Sequence, residues 1–265
     1  MSKYNIGVTE AGDAGLDLSW EEQLDTVDGA IVISKSINPL FRDAVLRHER
    51  KLIVHATITG YGCTVLEPNV VPPRDALTQV DRLVEAGFPL EKVVIRVDPI
   101  IPTEKGIEAA KSVILAGMSL GFHRYRVSLI DMYPHVRSRF KGNGLPLPYG
   151  EGFAPSGKQL AAVDQMLKSC LALWIDGSQF PGAIKGREMR IESCAEPRLR
   201  TTIQAGCVSA YDLNLLGLDA GADVDSIGRQ RGNCRCYSGK TELLRQRHPC
   251  RHNCLYCYWK GDEEQ

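Results

Sequence analysis

KVVIRVDPIIPTEKGIEAAKSVILAGMSLGFHRYRVSLI, residues 92–130, carries a strand, a helix and a second strand in one unbroken run. Lys92–Val97 and Arg124–Ile130 are rich in β-branched residues, which suit a pleated, packed surface. Between them Ile107–Leu120 is rich in Ala and Val and stops near Gly121, so it reads as a helix. A strand–helix–strand unit of this kind predicts parallel pairing through a right-handed crossover.

Working outward, the rhythm repeats. Tyr4–Thr9, Ala30–Ser34, Leu52–Thr59 and Glu188–Glu192 are further strand-like runs. Pro73–Phe88 places Ala76, Leu77, Val80, Leu83, Val84 and Phe88 on one face behind a Pro-Pro start. Lys158–Trp174 repeats Val163, Met166, Leu167, Cys170, Leu171 and Trp174 at helical spacing. Six β/α units over residues 1–220 predict an α/β fold, a partial or complete (β/α) barrel, with an open doubly wound sheet close behind. Either way chemistry belongs at the C-terminal ends of the strands. Polar residues stand at each of those ends: Thr9–Glu10, Ser34–Lys35, Thr59–Gly60, Arg96 with Asp98, Ser128 with Asp131, and Glu192 with Cys194. Residues 134–156, rich in Pro and Gly, read as a long loop on that face. Arg198–Gln204 and Ala210–Leu216 read as short helices. Residues 221–265 are turn-rich and cysteine-rich, an extension expected to pack on the barrel mouth rather than form an independent domain.

With 43% hydrophobic and 24% charged residues, the 265-residue chain has the composition of a globular protein with a real core. No apolar run is long enough to span a bilayer, so no membrane partner is expected. MSKYNIGV opens as a strand rather than a signal peptide, which predicts a cytoplasmic location and reduced thiols. Net charge is zero but uneven: residues 226–260 hold eight Lys/Arg against Glu242 alone, together with five of the nine cysteines. This stretch is either a solvated basic tail or a complement to thiolates, a cluster or a phosphate-bearing substrate.

The motif that carries chemistry is HPCRHNCLYCYW. Cys250, Cys254 and Cys257 stand as C-x3-C-x2-C, with Tyr256 just before the last. Three thiolates suffice for three irons of a 4Fe–4S cube and leave the fourth iron open to a chelating small molecule. The alternative is structural zinc, with His252 or Cys236 as fourth ligand.

The spacing and its aromatic resemble the signature of the radical S-adenosylmethionine (radical SAM) superfamily. That resemblance implies a 4Fe–4S cluster whose open iron binds S-adenosylmethionine. One electron from an external donor then releases a 5′-deoxyadenosyl radical that takes hydrogen from the substrate. Superfamily members usually carry the triad after the first strand, whereas here it comes last. In this the chain resembles an uncharacterised bacterial and phage family in which a barrel precedes a C-terminal cysteine group. The likeness covers TITGYG and LEPN (57–69), VIRVDPI (94–100), SLIDMY (128–133), ESCAE (192–196), GCVS (206–209), CRC (234–236) and CRHNCLYCYW (250–259). Gly7–Gly15 departs from it, an Arg-rich stretch being usual there.

Cys194, Cys207, Cys234 and Cys236 fall in these blocks and either ligate a second cluster or are buried core thiols. Cys170 is a core residue of its helix, Cys63 a spare thiol, and His55 a strand residue without catalytic duty. Thr59, Gly60, Arg96, Asp98, Ser128, Asp131 and Tyr256 are the positions expected to bind the cofactor, with Glu67 beside them. Salt bridges across the barrel mouth and a tight turn at Gly60-Tyr61-Gly62 are the plain alternatives. Tyr258 and Trp259 either shield the cluster or dock the tail. The function expected is a radical SAM enzyme of isomerase or lyase type acting on a modified nucleobase or nucleotide, in DNA modification. The competing class is a non-enzymatic zinc or iron–sulfur module that binds nucleic acid. Protein isolated without oxygen is therefore expected to contain iron and sulfide and to show the broad visible absorption of thiolate-ligated clusters. A colourless protein holding only zinc would contradict the cluster.

Overall fold

The computed structural model describes residues 3–178, 180, 187–219, 235–245 and 250–260. Eight strands form one sheet: β1 (Ile6–Val8), β2 (Gly29–Ser34), β3 (Leu52–Thr57), β4 (Val93–Ile100), β5 (Arg124–Leu129), β6 (Arg190–Ser193), β7 (Ile203–Gln204) and β8 (Lys240–Glu242). Every pairing is parallel, and the order is β7-β6-β5-β4-β3-β2-β1-β8. Six α-helices accompany it among the described residues: α1 (Pro39–Arg47), α2 (Pro73–Glu85), α3 (Glu104–Ser119), α4 (Pro134–Gly142), α5 (Gly157–Asp176) and α6 (Ala210–Leu215).

The alternation of side chains along each strand divides the interior in two. Val32, Val54, Ala56, Ile95, Val97 and Val127 join α1, α2, α3 and α5 in the larger core. Ile31, Ile33, Ile53 and Val94 turn the other way, onto Val208, Leu213 and Tyr237. Burial on both faces explains why these strands read as continuous apolar runs. Cys170 is fully buried in the larger core, as its helical position predicts.

The sheet is open among the described residues, so the expected α/β class with a parallel sheet holds and the complete barrel among the alternatives does not form. Among the described residues no ladder joins β7 to β8. β7 ends at Gln204, and the chain beyond it meets the segment before β8 through one backbone hydrogen bond, Tyr237 N to Val208 O at 3.1 Å. Two-residue and three-residue edge strands offer too few paired groups to close a ring.

Three local readings are also corrected. Pro134–Gly142, expected as loop, is helical, with Pro at its start and Val136 and Phe140 buried one turn apart. The glycines and prolines that follow had masked this short apolar stripe. Residues 203–204, expected as helix, instead pair with Glu192 and Ser193 of β6. The extension is not wholly irregular either, since Lys240–Glu242 adds a strand to β1. α1, absent from the sequence reading, starts where the Asn38 side chain accepts from Phe41 N at 3.0 Å.

On the inner face lies a buried charge network. Arg124 donates to Asp212 Oδ1 at 2.6 Å, and Arg126 bonds Glu192, Asp212 and the Cys207 carbonyl oxygen. His55 touches the same Arg126 guanidinium at 3.3 Å, and burial together with that cation holds its imidazole neutral. Asp212 also closes a capping box with Ser209, so the network fixes α6 against the sheet. Arg126→Met strands two carboxylates without this cation, and a loss of about 3–5 kcal/mol is expected. The urea midpoint measures it, and an unchanged midpoint would show that the network adds nothing.

Candidate functional site

The triad loop lies over the C-terminal ends of β1, β2 and β3 and is held from both sides. His252 Nε2 meets Asp13 Oδ2 at 2.9 Å, and the Tyr256 hydroxyl bonds Glu67. Leu255 N donates to Leu66 O at 2.9 Å, and the Asn69 amide donates to Arg251 O at 2.8 Å. Arg139 of α4 donates to the carbonyls of Cys257 at 2.5 Å and Lys260 at 3.1 Å. Cys254, Leu255 and Tyr256 pack with Tyr61, Val70, Ile101, Ile130, Met132 and Phe140. Asn253, between the first two cysteines, has φ +54°, a conformation asparagine tolerates better than most residues.

Both anchoring carboxylates are buried and ionised. Burial pushes Asp13 up, but His252, the Lys35 backbone N–H at 2.7 Å and the Ser34 hydroxyl at 2.6 Å hold it below its usual range. Burial acts likewise on Glu67, which Lys35, Tyr256 and Thr59 outweigh. Lys35 Nζ lies 2.7 Å from Glu67 and 5.6 Å from the Tyr256 ring centre. Its charge also acts on Cys254, whose thiol burial pushes up to about 12 and Lys35 draws back. Lys35 is thus a cation built in beside the triad.

The three triad thiols are neighbours in one loop, but they do not form a group with all sulfurs within 4.8 Å of one another. Tetrahedral zinc, at about 2.3 Å from each sulfur, would need them roughly 3.8 Å apart. Three thiols in one loop with Lys35 beside Cys254 are the donor set that three irons of a 4Fe–4S cube take. Of the fourth ligands considered for zinc, His252 bonds Asp13 through Nε2, which leaves Nδ1, and Cys236 belongs to a different cysteine group.

That second group joins Cys194, Cys207 and Cys236. Cys234 lies outside the described residues. Glu10 adds a carboxylate that sequence reasoning left unassigned, although its place after β1 marked it as polar.

The expected cofactor positions fall into two sets. Thr59 and Tyr256 both bond Glu67 and so belong to the anchor of the triad loop. Gly60 adopts φ +91°, and a Cβ there would meet Ala109 of α3 at 3.0 Å. Its bare side therefore faces a helix. The second set lies in the C-terminal halves of β4 and β5, with Asp131 just beyond. Arg96 pairs with Asp98, the Ser128 hydroxyl bonds Asp98, and Arg96 also feels the charges of Cys207, Tyr258 and Cys194. Asp131 stands at the same strand ends, where its charge reaches Glu196.

Glu196, Asp13 and the Lys35 pairing escaped the sequence reading because no local motif marks them. A cleft of about 530 Å³, lined by Trp174, Ile175, Met189 and Ile203 together with Arg187, Glu188 and Thr201, shares no residue with these groups. No helix among the described residues is long and apolar enough to cross a membrane. The family described as "Domain of unknown function (DUF1848)" matches residues 18–259. No curated protein and no solved structure matches the chain.

Burial, with Asp131 and Asp98 nearby, raises Glu196 from 4.5 to about 7. The folded chain thus holds this proton more tightly than the unfolded chain does between those values. The contribution to stability is complete below the unfolded value and is lost as pH rises through the folded one. Glu196→Gln is expected to flatten the fall of Tm with pH between about pH 5 and 7. Identical slopes for variant and parent would contradict the assignment.

Proposed function

We propose that this chain, which belongs to the family described as "Domain of unknown function (DUF1848)", is a radical SAM enzyme whose triad sits on a curved parallel sheet, a partial barrel. The observation that carries the reading is the C-x3-C-x2-C loop, anchored through Asp13 and Glu67 over the strand ends with Lys35 beside Cys254. Cys250, Cys254 and Cys257 would hold a 4Fe–4S cluster, which when bound supplies an open iron for S-adenosylmethionine and an electron for its cleavage.

The chain's own residues do the rest. Lys35 offsets thiolate charge beside Cys254. Tyr61, Met132, Leu255 and Tyr256 exclude water from that side, as radical chemistry requires. Arg96 offers a cation to an anionic end of the cofactor or substrate, and Asp98 and Ser128 offer hydrogen bonds to sugar hydroxyls. Glu196 is placed to exchange a proton near neutrality beside Asp98 and Asp131.

The substrate class we favour is a modified nucleobase or nucleotide in DNA, rearranged or cleaved, with an external one-electron donor in the cytoplasm. Tyr133, Phe153, Tyr258 and Trp259 form an aromatic rim beside Cys257, and the last three rings are substantially exposed. Such rings stack on bases, and the basic 226–260 stretch suits phosphates.

Reconstituted, dithionite-reduced protein is expected to release methionine and 5′-deoxyadenosine from S-adenosylmethionine. Cys254→Ala abolishes this, and Cys170→Ala does not. Added single-stranded DNA accelerates it in a salt-sensitive way. No cleavage from an iron-replete, reduced sample would overturn the radical reading and favour the binding module. Cleavage indifferent to DNA would remove only the nucleic-acid substrate.

A further inference from the structure

Four potential metal ligands come together from four separate strand ends. Glu10 follows β1, Cys194 follows β6, Cys207 follows β7, and Cys236 precedes β8. Cys207 and Cys236 are buried, and Cys194 and Glu10 are half-buried. The Cys194 and Cys207 sulfurs lie 3.9 Å apart. The ligand atoms of Glu10, Cys207 and Cys236 all fall within 4.8 Å of one another. No short sequence motif demands this convergence.

The backbone is shaped to permit it. A Cβ at Gly206 would stand 2.2 Å from Cys236 Cα and 2.3 Å from its nitrogen, so no larger residue fits without moving the chain. This close approach lets Cys207 N donate to Cys236 Sγ at 3.0 Å, a bond suited to a thiolate acceptor. Lys240 Nζ holds both Glu10 oxygens at 3.0 Å, as an outer partner orients a ligating carboxylate. Lys240 and Arg96 both feel the Cys207 charge, and so offset the negative charge that several thiolates carry beyond a divalent ion.

We propose that Cys207, Cys236 and Glu10, with Cys194 completing the set, form a second metal centre, separate from the triad, that holds one tetrahedral divalent ion. The 3.9 Å between Cys194 and Cys207 matches the roughly 3.8 Å that two sulfurs on one zinc require, and Glu10, Cys207 and Cys236 lie close enough to share an ion. Soft thiolates with one carboxylate suit zinc. The position gives the ion a mechanical task. Cys194 and Cys207 hang from the β6–β7 edge, and Glu10 and Cys236 from the β1–β8 edge, where no ladder joins the two among the described residues. The ion clips those edges together and ties the cysteine-rich extension to the sheet. This inference does not rest on the radical reading.

The test uses the full chain with Cys250, Cys254 and Cys257 all changed to Ala, so that triad iron cannot contribute. Folding is checked by circular dichroism, and metals and acid-labile sulfide are measured after gel filtration. The expected result is one zinc per chain without sulfide. Adding Co²⁺ to the stripped protein should give the intense visible bands of tetrahedral thiolate coordination. Adding Cys207→Ser and Cys236→Ser should remove both the zinc and the cobalt bands and lower the thermal midpoint to that of the stripped protein. A folded, metal-free triad variant overturns the centre, and iron with sulfide in that variant overturns the single-ion assignment. Should the triad variant fail to fold, the Cys207→Ser/Cys236→Ser protein with its triad intact gives the answer. Zinc lost with iron retained supports the proposal, and an unchanged zinc content overturns it. Triad iron and S-adenosylmethionine cleavage are read separately, so either reading can fail without the other.

Discussion

Burying an ionised carboxylate is tolerable only when most of its lone pairs are met, and the architecture of the site turns on two such groups. Asp13 and Glu67 each accept from the sheet side and from the triad loop at once. Asp13 takes Ser34, Lys35 N and His252, and Glu67 takes Thr59, Lys35 Nζ and Tyr256. Lys35 serves both, through its backbone to one and its ammonium to the other. A segment distant in sequence is thereby docked on the strand ends by charge-assisted bonds that water would otherwise claim. If either carboxylate lost its loop partner, the remaining charge would be buried and poorly met, so loop and sheet hold each other in place.

The sheet supplies the platform for this. Strands that follow one another in both sequence and space bring their C-terminal ends to one rim, and so gather Glu10, Lys35, Thr59, Arg96, Ser128 and Cys194. Just below the rim, Arg124 and Arg126 neutralise Glu192 and Asp212, and Arg126 binds the Cys207 carbonyl. The same network therefore positions the chain that leads into the second cysteine group. Arg96 lies within electrostatic reach of Cys194 and Cys207 of the second group and of Tyr258, the residue after Cys257. The two sites thus share one polar surface.

Much of this was legible before any coordinates. The six principal strands, the helices at Pro73, Ile107 and Lys158, and the triad follow from β-branched runs, helical periodicity and a local spacing, all of which act over a few residues. The extra helix at Pro134 was hidden because its apolar stripe is one turn long beside a run of turn formers. β7 and β8 were hidden because two or three residues carry no period, and only a neighbouring strand makes them strands.

The sequence by itself determined the parallel α/β character and the C-x3-C-x2-C spacing, because local propensity and residue spacing are properties of contiguous residues. Only the tertiary structure decided that the sheet stays open and that Gly60 faces a helix. It also decided that Asp13 and Glu67 anchor the triad, and that Glu10 stands with Cys194, Cys207 and Cys236. Those outcomes depend on contacts between residues up to 239 positions apart, such as His252 with Asp13. Burial and charge compensation are set by whichever groups meet in space, and no periodicity along the chain encodes such a meeting.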